Sequence, residues 1–238
     1  MTANVVAGTS QAASVHLSPD SVSGSSIFIW GAQIEAGSTA TAYQKVTTQY
    51  DVTEAGVPSL GYLYFDGVND WMVTPTITPG TDKVQMFAGL RKLSDALVGI
   101  IAELGTTGNE NGIFTSTAPR TSGVGNYRFI SKGTVLADAF ASSGYTAPIT
   151  NVFTGLGDIG GDTSTLRLNG TQVAQITTDQ GTGNFLAYPM YIGIRAGGTV
   201  PFQGHIHSLI VRFGPNLTTA RIAATETWVA SKTAGVTL

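Results

Sequence analysis

His205 and His207 flank Ile206 on a segment whose apolar pattern predicts a strand, so the two imidazoles share one face. That spacing could hold a metal ion, but a third ligand is required and none stands near them in the sequence, which leaves surface or packed histidines as the competing reading. Carboxylates come in three settings. Glu103 and Glu110 flank a glycine-rich loop, Glu54 and Glu226 sit near element ends, and Asp158 and Asp162 bracket Ile159-Gly160-Gly161. Acidic side chains at turns and element ends are mostly solvated, and that reading outweighs acid–base chemistry here. Serine is abundant, but no Gly-x-Ser-x-Gly elbow exists and no His partner is distinctive. The absence of cysteine removes thiolate zinc sites, cysteine nucleophiles and disulfides together. The chain is therefore expected not to be an enzyme.

The elements that must position these side chains are strands. The 238 residues include 30 glycines and only 11% charged residues, with a net charge of -3. Typical domains carry about 25% charged residues, so a basic nucleic-acid-binding surface is excluded. A hydrophobic content of 42% excludes disorder, because such a chain buries enough apolar surface to offset its conformational entropy. The first basic residue is Lys45 and the longest apolar runs are as short as Ile27-Phe28-Ile29-Trp30, so no signal peptide or membrane helix is readable.

Apolar residues alternate or cluster in short runs bounded by Gly, Asn, Asp, Ser and Pro, the pattern of an antiparallel sandwich. The pattern predicts eleven strands: Tyr62 to Phe65, Trp71 to Val73, Val84 to Leu90, Val98 to Leu104, Gly112 to Thr117, Tyr127 to Ile130, Ile149 to Thr154, Thr165 to Leu168, Thr171 to Ile176, Met190 to Ile194 and Ile206 to Phe213. Asn169-Gly170 supplies the positive φ values of a type I′ hairpin turn. One helix is predicted over 217–232, after Gly214-Pro215-Asn216, capped by Thr218 or Thr219 and ended near Gly235. It is expected to pack across one end of the sandwich.

Tyr62-Leu63-Tyr64-Phe65-Asp66-Gly67-Val68-Asn69-Asp70-Trp71, then Leu166 to Gly170, then Tyr191-Ile192-Gly193 with Phe202-Gln203-Gly204-His205-Ile206, resemble the first strand, central hairpin and late strands of laminin-G-like, concanavalin A-like jelly rolls. The stretch from Asp179-Gln180-Gly181-Thr182-Gly183-Asn184 through Arg212, with the tail 217–236, looks like the version carried by tailed-bacteriophage virion proteins. The resemblance implies an all-β, two-layer antiparallel jelly-roll sandwich over residues 51–238. Glycosidases on that fold carry a Glu-x-Asp-x-(x)-Glu run, which this sequence lacks. The same fold often binds calcium through Asp, Asn and main-chain oxygens in loops at one end. Asp66, Asn69 and Asp70, or Asp158 and Asp162, are the residues that could do so here, against the reading that they cap turns.

Residues 1–50 form a separate clue. Ile27 to Tyr43 looks like the closing strand of the carbohydrate-binding-type jelly roll that often precedes such domains in phage tail and fibre proteins, and fewer than fifty residues are too few for a whole module. The segment reads as an attachment remnant. Ala13 to Leu17 and Ile27 to Ile34 could form a hairpin, which is marginal alone, so Ile27, Phe28, Ile29 and Trp30 are expected to contact other virion proteins or a neighbouring subunit.

Sugars are recognised by aromatic faces beside neutral or acidic hydrogen-bonding groups, and Trp71, Tyr127, Tyr145 and Tyr188 are the candidate aromatics, each with a competing core or edge reading. The sequence thus points to a non-enzymatic bacteriophage virion protein on the tail, fibre or capsid exterior that adsorbs to host-surface glycans. A homotrimer is expected, since few like charges keep copies apart. A purely architectural decoration protein and a polysaccharide-cleaving enzyme are the alternatives.

Overall fold

The computed structural model describes residues 60–142 and 144–238. They belong to the unit Leu60–Leu238, and the attachment strand expected at residues 27–30 lies outside the described residues. In chain order the elements are β1 (Leu63–Asp66), β2 (Met72–Val73), β3 (Lys83–Lys92), β4 (Ile100–Leu104), β5 (Ile113–Thr117), β6 (Tyr127–Lys132), β7 (Leu136–Ala141), β8 (Ile149–Asp158), β9 (Thr163–Leu168), β10 (Thr171–Ile176), β11 (Met190–Ile192), β12 (Gln203–Phe213) and α1 (Thr219–Ser231). Two six-stranded antiparallel sheets result, ordered β1-β12-β3-β8-β9-β10 and β2-β11-β4-β5-β6-β7. All eleven expected strands are present. The twelfth, β7, escaped the periodicity because Leu-Ala-Asp-Ala-Phe-Ala is alanine-rich and has weak strand preference. As an edge strand it is held by its ladder with β6, from Tyr127↔Ala141 to Lys132↔Leu136.

The period-2 alternation of β3 decides which side is inside. Val84, Met86, Ala88 and Leu90 enter the interior cluster with Phe114, Tyr127, Phe129, Phe153, Leu166 and Ile206. Phe129 packs against Phe114 at 6.2 Å and Phe153 at 6.4 Å between ring centroids. A Cβ on Gly155 would stand 2.1 Å from the Phe129 ring, so only glycine lets β8 pass this side chain. The hairpin turn between β9 and β10 forms as expected, with Asn169 at φ 48° and Gly170 at φ 77°.

The helix begins where Thr218 accepts the N–H of Arg221 at 3.4 Å. Its packing departs from the expectation. Val229 and Ala230, with Ile222, pack against Phe87, Val152, Leu156 and Ile210, a second cluster formed by the outward-pointing residues of β3, β8 and β12. The helix therefore lies across the outer face of the first sheet rather than across one end of the sandwich. The reason is that this outer face is itself apolar at alternate positions and must be covered to leave water. Among the described residues no helix is long and apolar enough to cross a membrane.

Candidate functional site

The four aromatic candidates separate by environment. Trp71 is 50% exposed and stacks on Tyr191 with 6.0 Å between ring centroids, so an aromatic ledge faces solvent beside β2 and β11. Tyr127 is a correction: it is fully buried, its hydroxyl accepts the Asn151 amide at 2.9 Å, and burial drives its phenol pKa up. Its alternation partner Arg128 takes the outer position instead. Tyr145 is half-buried and packs edge-on against Tyr127 at 5.5 Å, and half-buried Tyr188 leans on the interior cluster. Asn126, next to Tyr127, is also internal, holding the N–H groups of Arg120 and Thr121.

The loop after β1 uses its own carboxylates. Asp66 Oδ1 accepts the N–H groups of Val68 (2.7 Å) and Asn69 (3.2 Å), and Asp70 Oδ2 accepts the N–H of Asp66 at 3.0 Å. Asp158 is equally committed, to Lys83 at 3.0 Å, to the N–H of Gly161 and to the Asn216 amide, while Asp162 holds the N–H of Gln180. Calcium requires six to eight oxygens free to turn toward it. Among the described residues no three His, Cys, Asp or Glu side chains gather, and the carboxylate oxygens named above cap their own turns or pair with Lys83.

The carboxylates considered for acid–base work are likewise held. Glu103 is fully buried and gripped by Arg195, with 2.6 Å between Nη2 and Oε2, while Thr115 donates to the same oxygen at 3.0 Å. Glu110 is burdened by burial, yet the Thr106 hydroxyl and the N–H groups of Thr106 and Thr107 outweigh that and hold it at about 2. Glu226 pairs with Arg167. His205 and His207 do share a face of β12, with ring centroids 6.2 Å apart.

Beside α1 the outer face of the first sheet opens into a groove of about 370 Å³. Its walls carry Thr163, Thr165, Gln172 and Gln175 from β9 and β10 and Asn216 and Thr219 at the start of the helix. Leu156 and Ile222 supply an apolar floor. Gln172 and Gln175 are exposed, and the Gln175 amide donates to the Thr165 hydroxyl at 3.2 Å. Asp158 and Arg167 also line the groove, each held in an ion pair, and these donors and acceptors over an apolar floor suit a hydroxyl-rich ligand with an aliphatic face. Sequence reasoning missed these residues. Gln172 and Gln175 stand on a predicted strand as ordinary outward polar positions, and only the helix lying alongside turns them into a wall.

The chain matches no protein-family profile, and no curated protein is similar to it in sequence. Its fold is similar to that of the Ruminococcus gnavus IT-sialidase CBM40 at 15% identity and TM-score 0.50, over 65% of this chain and 98% of that one. It is similar to a heptameric SAP-like pentraxin from Limulus polyphemus at 13% identity and TM-score 0.55, over 72% and 82%. The receptor-binding domain of a botulinum neurotoxin C/D mosaic serotype is matched at 13% identity and TM-score 0.52, over 68% of this chain and 41% of that domain. Two antiparallel sheets and these likenesses make the described unit a jelly-roll β-sandwich with the concanavalin A-like fold.

Proposed function

We propose that the protein is a non-enzymatic, glycan-binding jelly roll carried on the exterior of a tailed-bacteriophage virion, where it adsorbs to host-surface sugars. The groove beside α1 carries this reading: it is concave, of ligand size, and lined mostly by side-chain amides and hydroxyls, while its two charged residues, Asp158 and Arg167, are engaged in ion pairs with Lys83 and Glu226. The fold likeness is compatible, since the CBM40 domain was observed with alpha2,3 sialyllactose and the toxin domain is a receptor-binding one. Placement on a virion rests on the resemblance of residues 179–212 and 217–236 to phage proteins. A second reading, a purely architectural role, draws support from the exposed apolar residues Leu63, Val68, Met72 and Val73 in and around edge strands β1 and β2.

The test is a glycan array probed with particles displaying many copies, because multivalency raises weak binding by roughly 10² to 10⁴-fold. Binding is expected, with loss of about tenfold in Gln172→Ala/Gln175→Ala, as two hydrogen bonds of about 0.5–1.5 kcal/mol each would give. Loss in Trp71→Ala with the groove variant intact would move the site to the aromatic ledge. No binding by displayed copies replaces adsorption with the architectural reading, and release of reducing ends from host polysaccharide replaces it with an enzyme.

A further inference from the structure

At the other side of α1 the outer face of the first sheet carries a different chemistry. The register sets Tyr64 of β1 against His205 of β12 and His205 against Arg91 of β3, so three side chains form one row across three strands. Tyr62 lies one alternation away on the same face. Its ring stacks on His205 at 4.0 Å and 12° and meets His207 edge-on at 5.4 Å, while Tyr64 meets His205 edge-on at 5.7 Å.

Three features make this more than a sheet surface. Tyr62 and Tyr64 remain 52% and 54% exposed, a large aromatic area left in water. Arg91 is exposed and has no ion pair or side-chain hydrogen bond among the described residues, whereas Arg120, Arg128, Arg167 and Arg195 each face a carboxylate. Among the described residues, the charges that lower the two imidazoles are Arg91 and, for His207, His205 as well. Among the described residues His207 Nδ1 is buried and makes no hydrogen bond, while the Gly61 backbone acts on the same ring. On a chain of net charge -3 this is a local positive site framed by rings.

We propose that Tyr62, Tyr64, Arg91, His205 and His207 form a second binding site, separate from the groove, that takes a carboxylate-bearing sugar unit of an acidic polysaccharide. The inference rests on the reading of the domain as glycan-binding. The guanidinium fork of Arg91 matches a carboxylate with two parallel hydrogen bonds. The tyrosine faces receive the C–H side of the pyranose, and the imidazoles offer ring nitrogens to its hydroxyls. A single permanent cation suits one carboxylate. A nucleic acid strand would call for a track of cations along the surface, which this face does not have.

The probes are tetragalacturonate, neutral galactotetraose and oligothymidylate, titrated by NMR against the full chain and its Arg91→Gln, Arg91→Lys, Tyr64→Ala and Gln172→Ala variants, each checked for a native melting profile. Tetragalacturonate should bind, weaken about tenfold or more in Arg91→Gln and in Tyr64→Ala, weaken less in Arg91→Lys, which keeps the charge and loses the fork, and be unchanged in Gln172→Ala. Raising salt should weaken it further. Equal binding of tetragalacturonate to the wild type, Arg91→Gln and Tyr64→Ala overturns the proposal, and so does Arg91-dependent binding of oligothymidylate. If tetragalacturonate does not bind while array binding still depends on Gln172 and Gln175, the acidic site is wrong and the glycan-binding reading stands. If displayed copies bind no glycan at all, both fall.

Discussion

Arg167 of β9 grips Glu226 of α1 through two parallel contacts, Nε to Oε1 at 2.8 Å and Nη2 to Oε2 at 3.0 Å. Glu226 is 1% exposed, and the same guanidinium donates to the Gly170 carbonyl in the β9–β10 turn at 2.5 Å. One side chain thus joins hairpin, sheet and helix, and it also lines the groove. The apolar contacts of Val229 and Ala230 hold the helix down, whereas this pair fixes where along the sheet it lies.

Removing one partner leaves the other charge without its match. Glu226→Ala is expected to cost about 3 kcal/mol in urea unfolding and to weaken groove-dependent glycan binding. The double change Arg167→Met/Glu226→Leu should recover most of the stability without restoring binding. A stable single variant with unchanged binding would show that the pair does not shape the groove.

Tyr127 separates packing from recognition. Tyr127→Phe takes away the acceptor of the buried Asn151 amide and is expected to destabilise the fold by about 1–2 kcal/mol while leaving glycan binding unchanged. Asp95→Ala, which strands the fully buried Lys92 ammonium now 2.5 Å from Asp95 Oδ1, should cost more, about 3 kcal/mol. Melting curves and array intensities measured on the same preparations check both.

Stability should fall with acid in two stages. Burial and Arg91 hold His205 below the ordinary imidazole value of 6.5, and burial, His205 and Arg91 do the same for His207. The unfolded chain then takes up these protons first, so stability is full above 6.5 and declines as pH drops below it, until the folded histidines also protonate. Asp82, held low by the Lys83 ammonium, and Glu110, at about 2, contribute stability above the ordinary carboxylate range that is lost as pH falls toward their folded values. Melting temperatures followed from pH 8 to pH 2 should show both declines, the first flattened in His205→Gln/His207→Gln and the second reduced in Glu110→Gln.

Deletion of residues 1–48 is expected to leave a soluble, folded jelly roll that no longer assembles, since among the described residues the buried core cluster is built from Phe65 to Ile206. Light scattering on the full chain should report a closed oligomer, with a trimer expected, and on the deletion a monomer. Incorporation of the truncated chain into particles at the normal level would end the attachment role.

Local chemistry carried much of this protein in its sequence. Turn residues and period-2 alternation marked eleven strands, Asn169-Gly170 marked the hairpin that formed, and Thr218 marked the helix start, because dihedral preference and capping are settled within a few residues. What alternation could not decide was which of two apolar faces turns inward. In Tyr62-Leu63-Tyr64-Phe65 both faces are apolar, and Phe65 went in while the tyrosines went out. Tyr127 took the opposite course and became core. The helix face followed the same logic: its landing place was set by apolar residues on β3, β8 and β12 that are distant in sequence. Both proposed binding surfaces belong to this second kind of information. Arg91 meets His205, and Gln172 comes to face Asn216 across the groove, only because long-range strand pairing and helix docking bring them there, and no local preference encodes a contact whose partners lie dozens of residues apart.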